Sequence, residues 1–568
     1  MQQLSQTPIR SPAQRHTLRS TTCPLIGLLL CLVLGAAASV PLFAASLVGE
    51  NGPATTAGSV TPLAQRLEAG DSPVQGVEID WTSVRSFYAA RGLQPVWHKN
   101  GEPLPGASEA LGLIASASRD GLYPEEYHLH EIQAGLDSPV KLPQDSLDIM
   151  LTDGVLKYIR HIQNGRLNPP SADPQWLIHS APVDAEAVLQ AALDSASVNR
   201  ALAALSPGFL GYQRLKNLLQ AYRSLASAGG WPEVPPGLKL EKGVYDQRVQ
   251  SLRHRLMLSG DSDIFDVVDS FEFDAALEHA VTQFQARHGL ETDGIVGRHT
   301  LAALNVPVEE RIQQILLNME RMRWLPEELG PRYLLVNMAG FDLRLVENDA
   351  TVMDMRVIIG RPYRSTPAFV SELTHLVFNP YWNVPHKLAL LDVLPAQQQD
   401  PQYLTRKGFR VFSDWSKDAI EIDPAGVDWS QYNASNFAFR LRQEPGATNS
   451  LGRIKFMMPN PYAVYLHDTP AQHLFKRAVR TFSSGCIRIE QPVRLATTLL
   501  QGKRRWTDAD VIKIIESKEN RAVFLPHKIP VYMLYLTAWV DDNGRVHFRD
   551  DVYGRDLLVR KAWNAVTG

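Results

Sequence analysis

The sequence predicts a multidomain α+β chain. It reads as a mainly helical N-terminal scaffold, a small three-helix module, and a C-terminal β-rich, sandwich- or barrel-like domain with a lid insertion. Three observations lead there. At 568 residues the chain is long for a single domain. From Trp81 to about Trp324, apolar residues recur at helical spacing. From Tyr333 the period falls to two, as in Phe341-Asp-Leu-Arg-Leu, in short runs bounded by turn residues, which is the pattern of strands. The formal charge is −3 and the basic residues are dispersed, so no nucleic-acid footprint is present.

At the N-terminus, Arg10, Arg15 and Arg19 precede an apolar run from Leu25 to Ala44 that ends in small residues. Positive residues, then an apolar stretch, then small residues make an export signal. The run is also near the ~20 residues that span a bilayer, so an uncleaved anchor stays open as the alternative. We therefore read residues 1–45 as a signal peptide or membrane anchor, with cleavage near Ala44 or Ala45, and 46–73 as a linker. Of three cysteines, Cys23 and Cys31 fall in this segment, which leaves Cys486 alone in an exported chain. A lone thiol in an oxidising compartment is a hazard unless it has a task.

Residues 74–240 read as the helical scaffold, with Trp81, Val84, Phe87 and Tyr88 on one face and a long amphipathic helix from Leu147 to Leu167. Its His128, His130 and His161 lack metal-ligand spacing. Pro232-Glu-Val-Pro-Pro-Gly closes it as a stiff boundary. Residues 244–306 form the module: Val249, Leu252 and Leu256 share a helical face. Asp274 caps a second helix carrying Leu277, Ala280, Val281 and Phe284, and Thr300 to Leu304 begins a third after a glycine-rich turn. A connecting helix occupies 307–331 and the β-rich domain 332–545, leaving 546–568 as a tail. The insertion at about 386–435 carries Trp415, Trp429 and Tyr432; it is either a lid over a site or a decoration covering a sheet edge.

The stretch with chemistry runs from Tyr465-Leu-His-Asp-Thr-Pro to Ser483-Ser-Gly-Cys-Ile-Arg-Ile-Glu490. A nucleophilic thiol needs a base within reach, a lowered pKa and donors for the oxyanion. Tyr465 and His467 share one face of a strand. Gly485 lets the backbone approach a substrate, and the Gly485 and Cys486 N–H groups are candidate oxyanion donors, with the Tyr465 hydroxyl beside them. Arg488, two residues past the thiol, favours thiolate. The cysteine follows the histidine, opposite to the papain-like order. His467 and Asp468 make no metal-ligand set with the scattered histidines, so no metal is expected. The thiol itself supplies the nucleophile, so no cofactor is implied.

This pattern resembles the L,D-transpeptidase family (YkuD-like catalytic domain), in which a histidine precedes a Ser/Thr-His-Gly-Cys segment by a short, fixed span. The second histidine of that pattern is Ser484 here, and with the upstream Tyr465-Leu-His-Asp-Thr-Pro this resembles the large periplasmic branch. The likeness covers about 332–540. The Ala-Val-Thr-Gln-Phe-Gln, His-Gly-Leu, Asp-Gly-Ile-Val-Gly and Thr-Leu-Ala-Ala-Leu segments of 244–306 resemble a peptidoglycan-binding module, and 74–236 resembles the scaffold region of large members. The resemblance implies a periplasmic, cell-envelope enzyme making 3→3 peptidoglycan cross-links through a Cys486 thioester. Its partners would be donor and acceptor stem peptides and other cell-wall synthesis proteins, with the inner membrane touched only through an uncleaved N-terminus. In the family, His467 is base and acid, and the backbone carbonyl at Asp468 orients it. Arg488 would bind a stem carboxylate, with Ser484 beside it, while Trp382 would face the donor from the insertion. Arg453 and Lys455 either face an anionic substrate or are exposed strand charges. Water or a lipoprotein lysine as acceptor, and a non-catalytic wall-binding scaffold, are the other readings. Carbapenems should acylate Cys486.

Overall fold

The computed structural model describes residues 62–137, 142–262, 270–502 and 504–567. The expected export segment, with Cys23 and Cys31, lies outside them. Among the described residues no helix is long and apolar enough to cross a membrane. Residues 62–73 were expected in the linker, yet Pro62–Ala69 is a helix. Leu63 and Leu67, four apart and hence on one face, pack into the core with Trp81, Val84, Phe87 and Tyr88.

The long scaffold helix, α1 (Gln144–Asn164), is not amphipathic in its first half: every residue from 146 to 156 is buried. Its buried carboxylates are answered by hydrogen bonds, Asp148 by the Val96 and Trp97 N–H groups at 2.9 and 3.0 Å and Asp153 by Asp80 N–H at 2.9 Å. Helix α2 (Leu210–Ser227) packs on the connecting helix, below. The module is α3 (Arg248–Leu258), α4 (Ala275–His288) and α5 (Arg298–Leu304), closed over Val249, Leu252, Leu277, Val281 and Phe284. Asp274 caps α4 by accepting from Leu277 N–H at 2.8 Å. Helix α6 (Val308–Arg323) then runs between scaffold and β-domain, its Ile315 and Met319 sharing one core with Leu215, Leu219 and the strands.

The β-domain begins with β1 (Arg332–Asn337), β2 (Asp342–Glu347), β3 (Ala350–Gly360) and β4 (Phe369–Phe378). The insertion contributes β5 (Trp382–Asn383), β6 (Phe409–Phe412), β7 (Glu421–Ile422) and β8 (Arg440–Gln443), a sheet of order β5-β8-β6-β7. It has its own core, from Val384 through Val393, Phe409 and Trp429 to Leu441. The lobe is thus wider than the expected 386–435, because the flanking strands pair with each other and fold with it. The main sheet resumes with β9 (Ile454–Met457), β10 (Leu466–His467), β11 (Thr481–Ser483), β12 (Ile487–Ile489), helix α7 (Pro492–Leu499) and β13 (Arg521–Leu534). Its order is β11-β3-β12-β10-β9-β4-β13-β1-β2, and β2 pairs with β3 again. The long β3 closes the ring, pairing β2 over residues 350–356 and β12 over 357–358. The period-two apolar residues, such as Leu343, Leu345, Ile454 and Phe456, fill the interior.

The expected tail is a second correction. Residues 546–548 pair with 538–540, and α8 (Arg555–Thr567) buries Val559 and Trp563 in the main core. Arg555 meets Asp173 of the scaffold at 2.7 Å, both side chains buried. The C-terminus therefore clamps scaffold to β-domain.

Candidate active site

The site is built on β10, the short strand held antiparallel to β9 and parallel to β12. Leu466 points inward between Phe456 and Ile487. His467 therefore points outward, and its cross-strand partners are Lys455 on one side and Arg488 on the other. A histidine between two cations, in a buried position, is held neutral: burial first, then Arg488 and Lys455, push its pKa down to about 3, against the pull of the Asp468 and Leu451 carbonyls. Its Nδ1 lies 2.5 Å from the Asp468 carbonyl oxygen. A carbonyl only accepts, so the proton belongs on Nδ1 and the lone pair on Nε2. That carbonyl is itself fixed. The Asp468 carboxylate accepts from the Arg453 N–H at 2.8 Å and the Thr469 N–H at 2.7 Å. Gly452 makes room for it, since a Cβ there would meet the carboxylate at 2.4 Å.

Cys486, the free cysteine among the described residues, is half-buried in the turn between β11 and β12. Gly485 takes φ of +119°, which a side chain would resist. Ser483 holds the turn together: its hydroxyl donates to the Cys486 carbonyl at 2.5 Å and accepts from the Gly485 N–H at 3.1 Å. The Gly485 N–H, expected as an oxyanion donor, is thus committed to Ser483. The Cys486 Sγ lies 3.8 Å from the Ala463 carbonyl, and Ala463 holds a left-handed φ of +54°, a strained conformation that aims its carbonyl at the thiol.

Tyr465 shares the face of His467, ring centroids 5.8 Å apart, and Lys455 Nζ sits 3.8 Å from the Tyr465 ring centroid. The thiol's pKa is raised, because burial outweighs the hydrogen bonds from Tyr465 and the charges of Lys455 and Arg488. The expectation that Arg488 would tip the resting thiol towards thiolate is corrected: the charge acts in that direction, but desolvation is larger. The resting pair is neutral thiol and neutral imidazole.

Arg488 is half-buried, its Nε has no hydrogen-bond partner, and the Arg361 guanidinium stands close enough to push its pKa down after burial. Ser484 accepts from Arg364 Nη1 at 3.0 Å. Two expected substrate residues have other surroundings. Trp382 is half-buried and packs on Phe409 at 6.0 Å, against the lobe's own core. Arg453 is exposed and lines a cavity of about 720 Å³ with Asp468, Gln472 and Lys518. Lys455, left open between substrate and surface, is half-buried beside Tyr465, with its pKa lowered by burial. Arg361, Ser483 and Ala463 carried no local signal. Arg361 and Ser483 lie over a hundred residues apart in sequence and meet because Arg361 N–H donates to Ser483 O at 3.0 Å. Among the described residues no three His, Cys, Asp or Glu side chains are grouped to hold a metal ion.

Comparison with known proteins adds the following. Residues 331–513 match the model of the L,D-transpeptidase catalytic domain. Residues 82–219 match a scaffold domain, and 245–304 a domain described as "Putative peptidoglycan binding domain". A Haemophilus influenzae protein described as "Putative L,D-transpeptidase" is 27% identical over 485 residues, spanning 84% of this chain and 80% of that protein. Solved structures with some similarity include two from the same group of enzymes. The L,D-transpeptidase from Mycobacterium smegmatis is 10% identical and covers 36% of this chain and 58% of its own, with a TM-score of 0.17. That of Stackebrandtia nassauensis is 13% identical over 53% of this chain and 96% of its own, with a TM-score of 0.21.

Proposed function

We propose, for a chain that carries an L,D-transpeptidase catalytic domain with a peptidoglycan-binding domain and a scaffold domain, that it makes 3→3 cross-links in peptidoglycan by way of a Cys486 thioester. The observation that carries this reading is the alignment of Lys455, His467 and Arg488 across three strands beside the thiol, with His467 Nδ1 on the Asp468 carbonyl. In the first step His467 Nε2 takes the Cys486 proton as Sγ attacks the carbonyl of the third residue of a tetrapeptide stem. The oxyanion is held by the Cys486 N–H, the backbone donor left by the commitment of Gly485, with the Tyr465 hydroxyl beside it. The imidazolium then returns the proton to the departing D-alanine amine as the thioester forms. An imidazolium placed between Lys455 and Arg488 is a strong acid, which suits that transfer. An amine of a second stem next attacks the thioester. It gives its proton to His467, and the released sulfur takes it back.

Arg488 and Arg361, with no carboxylate partner among the described residues, are the seat we assign to a stem carboxylate, and Lys455 adds attraction for it. The cell envelope is where such domains act. Export through residues 1–45 into the periplasm is part of the proposal. The test incubates the purified protein and its Cys486→Ala variant with disaccharide-tetrapeptide, followed by mass spectrometry. A dimer lighter by one alanine, made only by the wild type, is expected. Tripeptide without dimer would move the reading to a carboxypeptidase or to a protein acceptor. No change in either folded sample would leave a wall-binding scaffold. Carbapenems should add to Cys486, and an unmodified mass after incubation counts against the thiol's role.

A further inference from the structure

The segment from Arg361 to Thr366 runs along the catalytic turn and holds three successive residues of it. Arg361 N–H donates to the Ser483 carbonyl at 3.0 Å, Arg364 Nη1 to Ser484 Oγ at 3.0 Å, and Thr366 Oγ1 to the Gly485 carbonyl at 2.7 Å. The segment doubles back tightly: a Cβ on Gly360 would meet the Arg364 carbonyl at 2.2 Å. Two of the three ties are rigid, one through backbone N–H and one through a fully buried threonine that also accepts from Gly360 N–H at 3.1 Å. The third is a long side chain, and its second grip lies outside the catalytic sheet. Arg364 clasps both oxygens of Asp392, Nη1 at 2.5 Å and Nη2 at 2.9 Å.

Asp392 belongs to the lobe. It sits in a π-helical turn, Ala389–Val393, whose Ala389 and Val393 are buried in the lobe's core, and such turns recur at functional sites. One guanidinium thus spans two bodies: a carboxylate fixed to the lobe, and the hydroxyl two residues before the nucleophile. The planar fork has fixed donor directions, so turning it to suit Asp392 sets where Nη1 points at Ser484.

We propose that Arg364 is a positioning residue that couples the seating of the lobe, through Asp392, to the placement of Cys486, through Ser484. The turn is in register for attack when the lobe is seated, and loosens when Asp392 moves away. This rests on the thioester reading for its kinetic readout, but its first readout does not need it.

The test compares wild type with Asp392→Asn, Ser484→Ala, the Asp392→Asn/Ser484→Ala double variant, Arg364→Lys and Arg364→Ala. Cys486 labelling by iodoacetamide is measured first, then thioester formation from disaccharide-tetrapeptide, as maximal rate and as half-saturating donor concentration. Asp392 is at the surface, so its isosteric change to Asn leaves the melting temperature in place. We expect Asp392→Asn to alter the labelling rate of a thiol it does not touch and to slow maximal thioester formation by about tenfold, the scale of a small misplacement. The double variant should be no slower than the worse single one, because both break the same link. Arg364→Lys should recover part of the Arg364→Ala loss. Asp392→Asn with wild-type labelling and maximal rate, or single effects that multiply in the double variant, would overturn the coupling. If labelling responds as expected but no variant, wild type included, forms thioester, the coupling stands and the proposed chemistry fails.

Discussion

Two desolvated histidines in this molecule are both pushed to about pKa 3, in different surroundings. His161 of the scaffold is desolvated and surrounded by Lys157, Arg166 and other cations, and its Nδ1 faces the Tyr127 hydroxyl at 2.9 Å. His467 is desolvated and flanked by Arg488 and Lys455. A depressed pKa therefore does not mark a catalytic base. One difference lies in the partners of the neighbouring arginines. Around His161, Arg166 is bound to Glu126 through Nε at 2.8 and 2.9 Å. Around His467, Arg488 has a buried Nε without a partner. The scaffold's other polar cluster follows the first pattern: the Asp148 carboxylate serves Val96, Trp97, Tyr88 and His98 at once. Unsatisfied cations beside a nucleophile wait for a substrate.

Breaking each region should separate activity from stability. The largest effect is expected from His467→Gln, which should slow thioester formation by about 10²- to 10⁴-fold, the range of a lost general base, with the melting curve little changed. Next, Asp148→Ala should cost about 3 kcal/mol or more of stability, because it strands several buried donors, while activity per folded molecule stays at wild type. Denaturant titration beside a turnover assay measures both. Arg488→Ala should raise the half-saturating donor concentration by roughly tenfold, the worth of a charge-assisted hydrogen bond at about 1.5 kcal/mol, and Arg488→Lys should recover only part.

Smaller still is the effect of Lys455→Met on pH dependence. The rate needs neutral His467, so its acid limb lies at the histidine's pKa. Lys455 disfavours the imidazolium, so removing it raises that pKa and moves the acid limb upward. Lys455 also favours thiolate, so the alkaline limb moves up as well. A kcat/KM profile whose limbs stay put or move down contradicts the electrostatic account.

Local pattern carried much of this. The helices of the module and the strands from Tyr333 onward follow from apolar period, and the choice of His467 and Cys486 as candidates from a motif. What the sequence left hidden has one cause in common: it is set by contacts between distant segments. The α8 helix read as a tail because Trp563 and Arg555 find their partners, Tyr123 and Asp173, only in the folded scaffold. Trp382 comes towards the donor only through the family resemblance, and its packing, with β5 paired to β8 and the half-buried ring against the lobe's core, is set by contacts with distant residues. Arg361 and Arg364 look like ordinary basic residues until the ring closes and lays them on the catalytic turn. The resting state of the thiol was also out of reach, since burial rather than the visible Arg488 decides its direction.

The central claim is that Cys486 acts as the nucleophile only when His467 takes its proton. It is tested most directly by mixing disaccharide-tetrapeptide donor, without acceptor, with wild type, Cys486→Ala and His467→Gln and following intact mass over time near neutral pH. The account predicts a covalent adduct of a tripeptide stem on the wild type, none on Cys486→Ala, and one that grows at least a hundredfold more slowly on His467→Gln, the low end of general-base catalysis. An adduct on Cys486→Ala, or equal rates for wild type and His467→Gln, would contradict it.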